Sequence, residues 1–190
     1  MMDEVLEKIM QDIKADLSEK RFRHSLGVMK KARELAKIYN INEMTAARVG
    51  LAHDIAKEFE AEEALKYIKN NNINADEIEM KNPGLLHGKI GADICKKRYG
   101  FTDEMCNAIA NHTTGKIGMS VLDKILILAD KLEDGRNWDG IDEVRKLAEQ
   151  DMNKALVKIQ DRTILKCINK GTQIHINSVE IRNELLETNK

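Results

Sequence analysis

Residues 50–59 read GLAHDIAKEF and place a histidine, His53, directly beside an aspartate, Asp54. The surrounding residues are mostly apolar, and no proline or glycine follows within the stretch. The pattern therefore predicts a half-buried helix over residues 43–58, with Asn42 as its N-cap. Burying an unpaired charge costs several kcal/mol, which is comparable to the stability of a whole domain. The pair needs a hydrogen-bond network, a catalytic partner or a metal ion.

Helical periodicity recurs along almost the whole chain. A single proline, few aromatic residues and many Ala, Leu, Ile, Lys and Glu residues also favour helices over strands. The apolar spacing predicts further helices over residues 2–17, 19–40, 61–70, 85–99, 103–112, 120–134, 141–169 (broken near 150) and 178–188. Ser120 and Asp123 form a capping signal, and the asparagines at 70–72 indicate a turn. The sequence predicts one all-α domain over residues 1–190.

The charged residues are nearly balanced, with 31 Lys and Arg against 32 Asp and Glu and a net charge of −1. They are spread along the chain, so we expect no nucleic acid partner and no membrane-binding face. The first residues lack the pattern of a signal peptide, and no apolar run is long enough to span a membrane. Three widely spaced cysteines without a C-x-x-C pair favour reduced thiols. These features predict a cytoplasmic protein.

Four of the five histidines lie at or near apolar faces of the predicted helices: His24, His53, His87 and His112. Taken singly, each is more often a core or surface histidine than a metal ligand, but four on successive helices could converge. Asp54 and Asp130 add carboxylates at half-buried positions. Imidazole and carboxylate donors without thiolate suit Fe, Mn, Zn, Co or Ni. The alternative is a buried polar network that links the helices, and the spacing alone does not exclude it.

These residues resemble, in order and placement, the H…HD…D signature of the HD-domain metal-dependent phosphohydrolases: His24, His53, Asp54 and Asp130. Further motifs are similar to one branch, the YqeK family of symmetrical diadenosine tetraphosphate hydrolases: RFRHSLGVMKKARELA, LLHGKIGA, NHTTG, MSVLDKILILADKLEDGR and GTQIHINS. The similarity runs from about residue 18 to residue 178. The resemblance implies an all-α HD-domain bundle, with a core over about 18–136 and C-terminal helices and a nucleotide-contacting tail over about 141–190.

The resemblance implies that one divalent ion, iron first and Mn, Co or Zn otherwise, is held by four ligands: His24, His53, Asp54 and Asp130. His87 and His112 would complete a second metal position, or they would contact phosphate and pass protons. Both roles stay open at this point. The implied reaction is hydrolysis of diadenosine tetraphosphate to two ADP by metal-activated water, with four catalytic residues: His53, Asp54, His87 and His112.

Phosphoryl transfer also needs positive charge around the transferred group. Arg21 lies three residues before His24, and Lys57 lies three residues after Asp54, so on a helix each pair shares a face. Arg136 falls just after the predicted end of the helix that carries the last aspartate. Each cation alone is more often a solvated surface residue. The spacing from a candidate ligand supports a phosphate-binding role more strongly for Arg21 and Arg136 than for Lys57.

The resemblance further implies two groups of substrate-binding residues. Those around the phosphates are Arg21, His24, Asp54, Lys57, His87, His112, Thr113, Asp130 and Arg136. Those lining the adenosine end are in the tail: Gly171, Thr172, Gln173, Ile174 and His175. From its residues alone, this tail reads as a connecting loop.

Two other functions are compatible with the sequence. The same fold and metal could act on another nucleotide, such as guanosine tetraphosphate, a deoxynucleotide or a nucleotide of NAD metabolism. The chain could also be a non-catalytic nucleotide-binding regulatory module, although a pure binder needs no metal-activated water. The expected partners are a dinucleoside polyphosphate, an ADP-like product and, as an open alternative to a monomer, a second copy in a homodimer.

Overall fold

The computed structural model describes residues 3–187, and every regular element among them is helical. The α-helices are α1 (Glu4–Asp16), α2 (Glu19–Ile38), α3 (Glu43–Ala52), α4 (Ala61–Asn70), α5 (Glu77–Lys81), α6 (His87–Tyr99), α7 (Asp103–Asn111), α8 (Val121–Leu132), α9 (Ile141–Gln150), α10 (Met152–Lys170) and α11 (Ile176–Glu187). This confirms the predicted all-α fold. Residues 2 and 188, the outer ends of two predicted helices, lie outside the described residues.

Helix α8 forms the centre of the bundle. It packs against α2, α3, α7, α9 and α10, and nine of its twelve residues are buried. Ser120 caps the helix in a capping box with Asp123, as predicted. Because α8 is enclosed on most sides, Asp130 near its C-terminal end is buried inside the protein. In the described part of the chain, no helix is long and apolar enough to cross a membrane.

Helices α2 and α3 form a tight antiparallel pair that covers one side of α8. Gly50 allows this close approach, since a Cβ atom at that position would lie 3.0 Å from the Met29 Cα atom. The pairing brings the N-terminal half of α2, with His24, next to the C-terminal end of α3. Two candidate ligand segments are therefore neighbours.

The predicted helix over residues 43–58 is wrong at its C-terminal end, because α3 stops at Ala52. His53 and Asp54 begin a series of turns, in which Ile55 N donates to Ala52 O and Lys57 N donates to Asp54 O. The His53 ring explains the change. Its Nδ1 atom donates to Gly50 O, the acceptor that a continuing helix would use for the amide of residue 54.

Smaller differences occur between α4 and α10. The five-residue α5 was not predicted, since it is too short for periodicity to reveal, although Asp76 and Glu79 form a capping box there. Helix α6 starts at His87, two residues later than predicted, because Pro83 opens a 3₁₀ turn first. The predicted break near residue 150 is confirmed at Asp151, whose side chain caps α10.

Candidate metal centre

Four polar side chains from three separate parts of the chain meet inside the bundle: His24 from α2, His53 and Asp54 from the turn after α3, and Asp130 from α8. His24 Nε2 lies 3.1 Å from an Asp130 oxygen and 3.9 Å from an Asp54 oxygen. His53 Nε2 lies 3.5 Å and 4.0 Å from oxygens of Asp54 and Asp130, respectively. The structure thus brings together all four residues that the sequence analysis named as ligands.

All four site histidines turn Nε2 inward, because Nδ1 is already bonded. In His53, His87 and His112, Nδ1 donates to the backbone carbonyl three residues earlier, at 2.7–2.8 Å. In His24, Nδ1 donates to the Glu133 carboxylate at 3.1 Å. With the proton on Nδ1, each Nε2 atom of a neutral ring carries a lone pair and can act as a metal ligand.

The His53 ring supplies the observation that tests the fit of a metal ion. The residue is fully buried, and its Nε2 atom has no hydrogen-bond partner among the described residues. Burial lowers the pKa of His53 to about 4, so the ring is neutral at pH 7. A buried acceptor without a donor is costly, and a coordinated cation would satisfy it. Two imidazoles and two carboxylates suit a divalent transition-metal ion.

The two carboxylates stay ionised although they are buried. Burial works to raise the pKa of Asp54, but the imidazoles around it, His53 first, hold the pKa well below its usual range. Burial also works to raise the pKa of Asp130, and the Lys131 ammonium, 2.6 Å away, and the ring of His24 hold it low. The centre therefore presents two anionic oxygen donors at neutral pH, as a divalent cation requires.

A second group of side chains adjoins the first through Asp54. His87 Nε2 lies 3.3 Å from an Asp54 oxygen and 3.1 Å from His112 Nε2. The Thr113 hydroxyl is 3.3 Å from both ring nitrogens. Because both rings donate through Nδ1, their Nε2 atoms are acceptors, and the donors within reach are the Thr113 hydroxyl and the Lys57 ammonium, which lies 3.2 Å from His87 Nε2.

The approach of His87 to His112 depends on a close contact between α6 and α7. A Cβ atom at Gly88 would lie 2.9 Å from the carbonyl oxygens of Ile109 and Ala110. Glycine is therefore the residue that allows the two helices to come this near. The motif LLHG thus contributes a packing feature as well as a histidine.

The three predicted phosphate-binding cations all reach this centre. The distances to candidate ligands are 3.2 Å for Arg21–Asp54, 2.7 Å for Arg136–Asp130 and 3.2 Å for Lys57–His87. Burial lowers the pKa of Lys57, whose ammonium lies inside the site rather than on the surface. Lys57, the least favoured of the three from the sequence, is thus placed beside the second histidine group.

Sequence reasoning did not assign a role to Glu133, which is buried behind His24. Its carboxylate accepts from His24 Nδ1 and, at 2.5 Å, from Gly135 N. Glu133 thereby fixes both the ring of His24 and the turn that ends α8. A signal was present, since Glu133 follows Asp130 by three residues and therefore shares its helix face.

The C-terminal tail is fastened to the segment around α5. His175 Nε2 lies 2.7 Å from an Asp76 oxygen, and the Gln173 side chain accepts from Asn82 at 3.4 Å. Gly171 adopts the left-handed conformation that ends α10, Thr172 is exposed, and Ile174 is half-buried. The predicted tail is therefore anchored to the segment around α5 through His175 and Gln173.

Comparison with known proteins places this chain in a family. Residues 21–135 match the family model described as HD domain. The chain belongs to the HD-domain family. It is 33% identical over 180 residues to a protein of Halalkalibacterium halodurans, covering 94% of this chain and 96% of the relative. It is 35% identical over 169 residues to a protein of Bacillus subtilis, covering 88% and 90%. Both relatives are named symmetrical bis(5'-nucleosyl)-tetraphosphatase, and the chain belongs to that branch of the family.

A solved structure supports membership of the HD-domain family. The crystal structure of a protein from Clostridium acetobutylicum, described as a "predicted HD superfamily hydrolase involved in NAD metabolism", is 42% identical. The two structures superpose with a TM-score of 0.92, and the match covers 96% of this chain and 97% of the other. These comparisons confirm the family that the motifs predicted.

Proposed function

We propose that this protein is a metal-dependent hydrolase that cleaves diadenosine tetraphosphate at its central bridge and releases two ADP. The observation that carries the proposal is the buried histidine–aspartate centre, with the unpartnered Nε2 atom of His53, surrounded by cations that suit a polyphosphate. The names of the two bacterial relatives supply the substrate class.

In this proposal one divalent ion, with iron as our first choice and Mn, Co or Zn as alternatives, is held by His24, His53, Asp54 and Asp130. When bound, such an ion polarises a phosphoryl oxygen and makes a water molecule more acidic. His87 and His112 would hold a second ion through their inward Nε2 lone pairs, which lie 3.1 Å from each other. Direct phosphate contact by these two histidines is the alternative.

The chain's own cations would bind the substrate. Arg21 and Arg136 would donate to phosphate oxygens around the central bridge, and Lys57 and Thr113 would do so beside the second histidine group. The charge that develops on the departing ADP is spread over its phosphate oxygens. Cations that neutralise these oxygens therefore favour its departure. The backbone of the tail over residues 171–175 and the Gln173 side chain would hold one adenosine, which fixes the phosphorus that reaches the metal centre.

The position of bond cleavage tests this proposal. Hydrolysis of diadenosine tetraphosphate in ¹⁸O-labelled water should give ADP as the sole nucleotide product, with label in half of the ADP molecules. Equal amounts of ATP and AMP would contradict it, because an outer phosphorus would then be the one attacked. Binding without turnover would favour a regulatory module. Preference for another nucleotide in a panel would favour the alternative substrates, including nucleotides of NAD metabolism.

A second experiment tests the proposed ligands. His53→Ala and Asp130→Asn should each remove bound metal and activity together, as measured by elemental analysis and turnover. The matched control is Asp103→Asn, which makes the same chemical change at an exposed carboxylate on α7. Retention of stoichiometric metal in either site variant would show that the metal lies elsewhere.

We also propose a cytoplasmic homodimer. Three free thiols fit a reducing compartment: Cys95, Cys106 and Cys167. Leu165 and Ile168 project from one face of α10 and are each 57% exposed, which suits a contact with a second copy. Light scattering should give twice the chain mass of 21.6 kDa, and a monomer that persists at high concentration would contradict the dimer.

A further inference from the structure

A groove of about 370 Å³ opens beside the metal centre, between the C-terminal end of α8 and one face of α10. We call it the α10 groove. Its described lining includes no acidic residue and five cations: Lys131, Arg136, Arg162, Lys166 and Lys170. A volume of this size is typical of small-ligand sites. In a chain whose overall charge is −1, this local excess of positive charge indicates an anionic ligand.

Three of these cations form a stripe along α10. Arg162, Lys166 and Lys170 are spaced by four residues, so they follow one another along the helix face, one turn apart. All three are exposed, and none has a carboxylate within ion-pair distance among the described residues. Like charges at this spacing repel each other. A bound anion would remove that repulsion and is the simplest reason for the arrangement.

A tryptophan fixes the first cation of the stripe. The Arg162 guanidinium carbon lies 4.5 Å from the centre of the Trp138 ring, and the indole N–H donates to the Lys131 carbonyl at 3.3 Å. Stacking on the ring restrains a side chain that is otherwise flexible, so less entropy is lost when an anion binds. The guanidinium is therefore preorganised in the groove wall.

The α10 groove shares lining residues with both the metal centre and the tail. Thr113 and Arg136 line the groove and also contact the site histidines and Asp130. Thr172, in the tail, also lines the groove. A dinucleoside tetraphosphate cut at its central bridge has two equal anionic halves, and each must leave the centre by some path. The groove offers such a path with positive charge along its length.

We propose that the α10 groove binds one nucleoside diphosphate half of the substrate, whose phosphates pair with Arg162, Lys166 and Lys170. The identity of the ligand rests on the proposed function, whereas the anionic character of the ligand rests on the groove itself. These three residues thereby extend the binding surface beyond the cations that touch the metal ligands. The expected consequence is tighter binding of substrate and of ADP, with little effect on the chemical step.

The test uses Trp138, which is the only tryptophan of the chain and lies in the groove. ADP should change its fluorescence in the metal-loaded protein. The Lys166→Ala/Lys170→Ala variant, which leaves the Arg162–Trp138 stack in place, should raise both the Kd for ADP and the KM for diadenosine tetraphosphate about tenfold. A tenfold change corresponds to about 1.4 kcal/mol. The kcat value should stay within about twofold of wild type, since the change affects binding and leaves the metal ligands intact.

The matched control is Lys146→Ala/Lys158→Ala, which removes the same number of charges from exposed positions of α9 and α10 outside the groove. It should leave the Kd and the KM unchanged, which separates local pairing from the loss of net charge. Wild-type affinity and fluorescence response in the groove variant would overturn the inference. Absence of turnover in wild type, with ADP quenching that the groove variant weakens, would refute the proposed function and leave the groove assignment standing.

Discussion

Glu133 offers the sharpest test of how the centre holds its first ligand. The residue is 95% buried, and its carboxylate accepts a hydrogen bond from His24 Nδ1 at 3.1 Å. This bond turns Nε2 of the ring toward the carboxylates of Asp54 and Asp130. Glu133→Ala would free the ring to rotate or to carry its proton on Nε2. Loss of such a supporting contact weakens metal binding about 10- to 100-fold. This corresponds to about 1.4–2.7 kcal/mol of binding free energy.

Competition with a chromophoric chelator would measure the metal affinity of the wild type and two variants. Glu133→Gln keeps an oxygen acceptor for His24 Nδ1 and should therefore lose less affinity than Glu133→Ala. Thermal unfolding with a chelator present separates this effect from a general loss of stability, which the bond to Gly135 N could contribute. Wild-type metal affinity in Glu133→Ala would show that the hydrogen bond does not set the ligand geometry.

Further predictions concern binding, packing and pH. Arg136→Ala should raise the KM for diadenosine tetraphosphate about tenfold with normal metal content in elemental analysis, because the cation meets phosphate; parallel loss of metal would indicate a structural role. Gly88→Ala should lower the free energy of unfolding in urea by about 1–3 kcal/mol, because its Cβ would meet the Ala110 carbonyl; unchanged stability would show that α6 and α7 can separate freely. Burial lowers the pKa values of His53 and His87 to about 4, so in the metal-free protein the unfolded chain takes up protons first as the pH falls from about 6.5. Stability should then drop by about 3 kcal/mol per histidine between pH 7 and pH 4 in urea unfolding, and a flat profile would contradict the burial of neutral rings.

Several helices could be predicted from the sequence because their signals are local. Apolar periodicity gave α2, α4 and α8, and Ser120 with Asp123 marked the start of α8. The end of α3 could not be predicted in this way, since it depends on a side-chain bond from His53 to Gly50 that competes with the helix. Boundaries decided by one side chain are invisible to periodicity.

The candidate centre was predictable to the extent that its residues form a recognisable order along the chain. The four proposed ligands come together, and so do Arg21, Arg136 and Lys57. The α10 groove was not predictable, because its cations come from α8, α10 and the segment between α8 and α9, and the overall charge balance conceals their convergence. Which charges face each other is decided by the packing of distant helices.

The proposed ligands lie on three segments that are far apart in sequence, at α2, at the turn after α3 and at α8. A bound ion would therefore cross-link these segments and close the long loops between them. Its site can form only when the bundle has assembled. The ion's contribution to the free energy of unfolding would follow mass action and reach about 2.7 kcal/mol when the free ion is at a hundred times its Kd. For a domain of ordinary stability, that amount changes the unfolded fraction about a hundredfold. The abundance of this protein in a cell would then depend on metal supply, because quality-control proteases act on the unfolded chain.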